Sequence, residues 1–113
     1  MRLLTRERDG VVLLDLQGKL MGGPDADAFR EKIHGLIEQG RKHVVVNLKD
    51  VNWVNSTGVG ILITGYTTLR KNGGDLKLLH VSKKIQSVLY VTKLNLIFEC
   101  FDDENTVVQS FRA

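Results

Sequence analysis

A chain of 113 residues, 42% hydrophobic and 26% charged, is long enough for one core and too ordinary in composition for a disordered or fibrous protein. Its net charge of +3 is spread over small groups such as Arg41-Lys42 and Lys83-Lys84; with no long basic run and no cluster of aromatics for base stacking, nucleic acid is not expected as a partner. No apolar run approaches the roughly 20 residues that cross a bilayer, and Met1 to Arg8 is charged too early for a signal peptide, so a cytoplasmic protein without a membrane partner is expected.

Leu3 to Arg8 and Val11 to Leu16 flank Asp9-Gly10, a two-residue turn signal, and predict an opening antiparallel hairpin. Gly18 to Gly23 reads as a loop. Pro24 suits the first position of a helix, with Asp25 and Asp27 in its first turn favourable to the dipole. Ala26, Phe29, Ile33, Leu36 and Ile37 form its buried stripe, and Gly40 stops it. His43 to Leu48 is short, β-branched and bounded by polar residues, as a buried strand is. After it, Val59, Leu62, Ile63, Tyr66 and Leu69 recur at helical spacing, leaving Thr67, Thr68, Arg70 and Lys71 for water. Leu76 to His80 predicts another buried strand, and Ser82 caps a short helix that buries Ile85, Val88 and Leu89. Leu94 and Leu96 lead into a strand at Ile97 to Phe101, where Cys100 reads as a small buried hydrophobe rather than a reactive thiol. Asp102 caps a last helix with Val107, Val108 and Phe111 inward. The order ββαβαβαβα predicts a single α/β domain over residues 1–113. Right-handed crossovers make its sheet of about five strands mostly parallel, with the first strand as an antiparallel edge and four helices packed on it.

The stretch from Val51 to Leu62 joins the central strand to the central helix, the kind of place where α/β proteins put ligands and chemistry. Ser56, or Asn55, can cap the helix by accepting a hydrogen bond from a free N–H. The positive end of the helix dipole there can accommodate an added phosphate. Gly58 and Gly60 remove side chains that would crowd an approaching partner, at about 1 kcal/mol each in helix propensity relative to alanine. Catalysis is not favoured. Val54 occupies the first glycine position of a nucleophile elbow, the glycine after Gly58-Val59-Gly60 comes two residues late for a dinucleotide fingerprint, and no P-loop exists. No obvious base for Ser56 is present, although His80, at the end of another strand, could approach it. One cysteine and three scattered histidines, His34, His43 and His80, predict no metal site, and no cofactor is expected.

Asn55-Ser56-Thr57-Gly58-Val59-Gly60-Ile61-Leu62 resembles the Asp-Ser-Ser-Gly-Leu-Gly signature of STAS domains, the family shared by bacterial anti-sigma factor antagonists and the tails of sulfate transporters. Gly18-Lys19-Leu20 is similar to the family's Gly-x-Leu after the second strand, and Asn72 to Leu78 to its helix-to-strand return, so the resemblance covers nearly the whole chain. It implies the same fold. It also implies an anti-sigma factor antagonist that binds a partner acting as both anti-sigma factor and serine kinase, and that a serine phosphatase resets. The phosphorylated hydroxyl then falls on Ser56, with Thr57 as second candidate. Asn55 stands where the family usually has Asp, and Met21 where an Asp often follows Gly-x-Leu, so two negative charges near Ser56 are absent. Partner contacts are expected at Met21, Gly22, Gly23, Trp53, Asn55, Ser56, Thr57, Gly58 and Gly60. Trp53 reads as half-buried under the loop, with an exposed partner anchor as the other reading. The alternative function is a non-switching interaction subunit of a larger signalling or transport assembly, with Ser56 merely capping.

Overall fold

Asp9 and Gly10 both adopt positive φ, 52° and 80°, the backbone that a two-residue hairpin turn requires. They join β1 (Arg2–Arg8) to β2 (Val11–Leu20) in a register that runs from Arg8 opposite Val11 to Arg2 opposite Gln17. In the computed structural model, which describes residues 1–112, α1 (Pro24–Glu38), β3 (His43–Val54), α2 (Ser56–Lys71), β4 (Asp75–Leu79), α3 (Lys83–Val91), β5 (Cys100–Phe101) and α4 (Glu104–Ser110) follow. The strands lie in the order β1-β2-β3-β4-β5, antiparallel for the first pair and parallel for the rest. The expected order ββαβαβαβα is the observed one.

Alternation along the strands supplies two cores. Val12, Leu14 and Leu16 of β2 and Val44, Val46 and Leu48 of β3 pack with Phe29 and Ile33 of α1, Leu62 and Leu69 of α2, and Ile85 and Leu89 of α3. Right-handed crossovers between sequentially ordered strands put those three helices on one face. Val11, Leu13, Val45 and Leu79 point the other way, against Val107 and Val108 of α4. A sheet covered on both faces has strands that read as unbroken apolar runs, as Val11 to Leu14 and Val44 to Val46 do.

Around α4 the second face is polar. Arg6 donates to Asp15 at 2.6 Å and to Glu104 at 2.8 Å, Arg8 reaches Glu104 at 2.9 Å, and Asn47 donates to Asp15 at 2.9 Å. At the other end of the helix Lys77, 6% exposed, donates to the Ser110 hydroxyl at 2.8 Å and lies 4.5 Å from the Phe111 ring centre.

Five expectations need correction. β2 continues to Leu20 instead of ending at Leu16, because two register irregularities, one of them at Gly18 with φ 93°, let it follow β3 past the predicted loop. Likewise β3 continues to Val54. β5 is only two residues long: Leu94–Leu96 forms a 3₁₀ turn, and Ile97 precedes the strand instead of belonging to it. Cys100 is exposed, since among the described residues no strand flanks β5 on its outer side. Asp103, not Asp102, caps α4, its carboxylate accepting from the Thr106 N–H at 2.8 Å.

Candidate functional site

The pairings Lys19 with Trp53 and Leu20 with Val54 carry β2 and β3 to the same end of the sheet side by side. The connections leaving them are therefore neighbours. Gly22 and Gly23 take φ of 107° and 63°, which L side chains rarely adopt, and turn the chain into Pro24 at the start of α1. A Cβ on Gly22 would sit 2.6 Å from the Thr57 methyl carbon, so the Met21-Gly22-Gly23 loop lies directly against the start of α2.

Between the two capping candidates the structure selects Asn55. With extended backbone, φ −113° and ψ −177°, its side-chain oxygen accepts from the Gly58 N–H at 2.8 Å. Ser56 is then the first helical residue, exposed and without capping duty. Its hydroxyl stands at the positive end of a 16-residue helix whose first turn has no acidic residue. Thr57 follows it, also exposed.

The two glycines of the signature differ. Gly58 is buried, and a Cβ there would overlap the Leu20 carbonyl oxygen and lie 2.8 Å from its carbon. The close approach of α2 to the end of β2 therefore demands this glycine. Gly60 is exposed, and among the described residues no heavy atom outside its own helix turn lies within 4 Å of where its Cβ would be. It lines a groove of about 360 Å³ between α1 and α2, together with Thr57, Phe29, Ile33, Ile61 and Gly65. Gly65 in turn accommodates the Phe29 ring, which a Cβ would meet at 2.6 Å.

Trp53 resolves toward the exposed reading, at 43%, and Met21 is 44% exposed. Both line one surface cleft with Lys19 and Asn52. Lys84, from the first turn of α3, sits 5.1 Å from the centre of the Trp53 ring. Sequence reasoning missed Lys19 and Lys84 as members of this surface: Lys19 looked like a loop residue, and nothing in the spacing of Lys84 announces the ring it covers. All nine expected contact positions lie on the β2–α1 loop, the end of β3 or the first turns of α2, with Asn55 and Gly58 building the junction from inside.

His80 takes a left-handed conformation, φ 57°, just after β4, and its N–H donates to the Phe101 carbonyl at 2.8 Å. The Thr106 N–H and hydroxyl, from which Asp103 accepts, hold that carboxyl low, with Arg8 adding a smaller effect. No hydrogen bond joins His80 to Ser56 among the described residues. Although Cys100 is exposed on the sheet edge, partial desolvation of its sulfur raises the thiol pKa, with Asp102 adding to it, which opposes thiolate chemistry. Among the described residues no group of three acidic, histidine or cysteine side chains could hold a metal ion, and no helix is long and apolar enough to cross a membrane.

Comparison with known proteins identifies the family. The model of the STAS domain matches residues 2–107. The anti-sigma-B factor antagonist of Bacillus subtilis strain 168 is 34% identical over 88 residues, covering 75% of this chain and 80% of that protein. The anti-sigma F factor antagonist of Paenibacillus polymyxa is 25% identical over 96 residues, 84% of this chain and 81% of that protein. Among solved structures, the phosphorylated form of the Bacillus cell fate determinant SpoIIAA superposes with a TM-score of 0.75 over 97% of this chain and 99% of that one, at 20% identity, a likeness of fold. With its ββαβαβαβα fold, its Asn55-Ser56-Thr57-Gly58 helix start and a family match over nearly its whole length, the chain belongs to the STAS domain family, and the curated relatives it matches are bacterial anti-sigma factor antagonists.

Proposed function

We propose that this protein is an anti-sigma factor antagonist: a cytoplasmic regulatory binding protein, not an enzyme, that acts as one domain over residues 1–113. In its unmodified state it docks an anti-sigma factor through the surface around Ser56. The partner, which is also a serine kinase, phosphorylates Ser56 and thereby releases it; a serine phosphatase restores binding. The observation that carries this reading is the division of labour at the helix start. Asn55 makes the cap, so the Ser56 hydroxyl is exposed and free for a kinase. The docking surface would comprise Met21, Gly22, Gly23, Trp53, Ser56, Thr57 and Gly60, shaped from beneath by Asn55 and Gly58, with Thr57 as a secondary acceptor.

The switch works by charge. A phosphate adds about −1.5 to −2 charges at neutral pH, and the helix N-terminus tolerates that without refolding. The change is felt by the partner, as repulsion and as charge that must be desolvated. A loss of about 3 kcal/mol weakens association more than a hundredfold.

Phosphopeptide mass spectrometry across residues 51–70 of protein isolated from its host, with Ser56→Ala as control, tests the reading. Phosphate on Ser56 supports it, and Ser56→Asp should then lose the partner while Ser56→Ala keeps it permanently. An unmodified peptide under several growth and stress conditions, together with a stable complex, would favour the non-switching interaction subunit instead.

A further inference from the structure

Four of the exposed large apolar side chains lie within eight residues of one another. Tyr90, Val91 and Leu96 are 73%, 78% and 84% exposed, and Ile97 is 40% exposed. They sit at the end of α3 and on the 3₁₀ turn that follows it. Tyr90 and Val91 share a surface cleft with Gln86, Asn95 and Cys100, so this apolar ground runs directly to the outer edge of β5.

That edge is open, and its pattern is self-complementary. The Leu78 N–H donates to the Glu99 carbonyl at 3.0 Å and the His80 N–H to the Phe101 carbonyl at 2.8 Å. Backbone groups alternate sides along a strand, so the N–H and C=O of Cys100 point away from β4, out of the sheet. A residue presenting both groups on a free edge can pair antiparallel with its own copy, each N–H donating to the other's C=O, about a two-fold axis between them.

We propose that two copies of this chain associate through this edge, with Cys100 opposite Cys100 on the axis and Tyr90, Val91, Leu96 and Ile97 buried across it. Area supports a second copy as the occupant. The four side chains expose on the order of 500 Å² per copy, and burying both sets reaches about 1,000 Å², the threshold of a specific interface. A two-residue edge alone would be too short to associate, and the apolar patch alone would lack a register. Together they supply affinity and a defined geometry. The junction at the end of β3 lies two strands away, about 10 Å across the sheet, so the dimer presents two Ser56 sites to solvent.

Sedimentation of the full chain under reducing conditions should show the mass doubling as concentration rises through the micromolar range. Leu96→Glu combined with Val91→Glu, both at exposed positions, should stay folded by circular dichroism and weaken dimerisation at least tenfold. Opposed residues of a hydrogen-bonded antiparallel pair have Cα atoms about 5.5 Å apart, within disulfide reach. Copper phenanthroline, which takes two electrons from two Cys100 thiols as they lose their protons, should therefore trap the dimer covalently. Cys100→Ser should abolish the cross-link and leave the reduced dimer intact. A protein that stays monomeric at about 200 µM overturns the proposal, as does an assembly larger than two. So does a dimer insensitive to the double glutamate variant and not trapped through Cys100.

Discussion

Gly58 and Gly60 are two residues apart in one helix, and alanine should affect them in opposite directions. At Gly60 the new Cβ enters open space, so the substitution only removes the conformational freedom of glycine and should stabilise the protein by up to about 1 kcal/mol. At Gly58 the same Cβ overlaps the carbonyl of Leu20. That obstacle is backbone held in the β2–β3 ladder opposite Val54, and it cannot rotate aside. The helix must move instead, and overpacking of this kind costs about 1–3 kcal/mol, which outweighs the propensity gained near a helix end. The assay is urea denaturation of each variant, followed by circular dichroism and by emission of the only tryptophan, Trp53, which borders the junction. Equal m-values with midpoints displaced to opposite sides of the parent's are expected. A Gly58→Ala protein as stable as the parent would refute the claim that α2 is pressed onto β2, and a destabilised Gly60→Ala would refute the openness of the groove.

The cap and the charges make further predictions. Asn55→Ala should cost about 1 kcal/mol, whereas Asn55→Asp keeps an acceptor for the Gly58 N–H and should be nearly neutral in stability. If Ser56 is phosphorylated as proposed, a change in the rate of that phosphorylation in Asn55→Asp without a change in stability would assign the charge at position 55 to kinase recognition. Burial works to raise the pKa of Asp15, but hydrogen bonds from Arg6 and Asn47 outweigh it and hold the carboxyl low; Arg6 does the same for Glu104 against a smaller burial effect. Depressed folded values mean that the stabilisation is complete above the unfolded values, near 3.8 and 4.5, and is lost as pH falls through the folded ones. Urea midpoints should therefore decline below about pH 4.5, less steeply in Arg6→Gln. The network is partly exposed, so 1 M salt should shrink the difference between the two proteins. Ser56→Asp should leave stability unchanged or raise it by up to about 1 kcal/mol, since an acid at the first helical position suits the dipole.

Elements whose periodicity was strong were legible from the residues alone. Phe29, Ile33 and Leu36 fix one face of α1, and the β-branched run at Val44 to Val46 admits only a buried strand. What failed was set by tertiary context. Gly18 looked like loop because a glycine in a strand normally breaks it, yet beside β3 it forms an irregularity that lets β2 run four residues further. Cys100 looked buried because its neighbours alternate like a strand; its exposure depends on β5 being the last strand, a fact of sheet order that no local pattern carries. At the junction, the choice between Asn55 and Ser56 as cap was undecidable because both side chains suit it, and only the backbone geometry separates them.

That choice bears on the kind of switch this fold can house. Had Ser56 capped α2, its hydroxyl would have been tied to the Gly58 or Val59 N–H, and modification would have had to rearrange that cap. With Asn55 as cap, the groups that hold the junction together and the group open to modification are separate residues. Gly58 seats α2 on Leu20, Gly65 seats it on Phe29, and Asn55 closes its first turn; none of these needs to move when charge is added at Ser56. A conformational relay would require some element near the site to have two packings of similar energy, but here α2 is wedged at both glycines against backbone and an aromatic ring. Under the proposed phosphorylation of Ser56, the energy of the switch would be expressed at the surface, between the phosphate and a partner approaching the Trp53–Met21 cleft and the Gly60 groove. Rigidity underneath is what makes a single added charge readable by a partner.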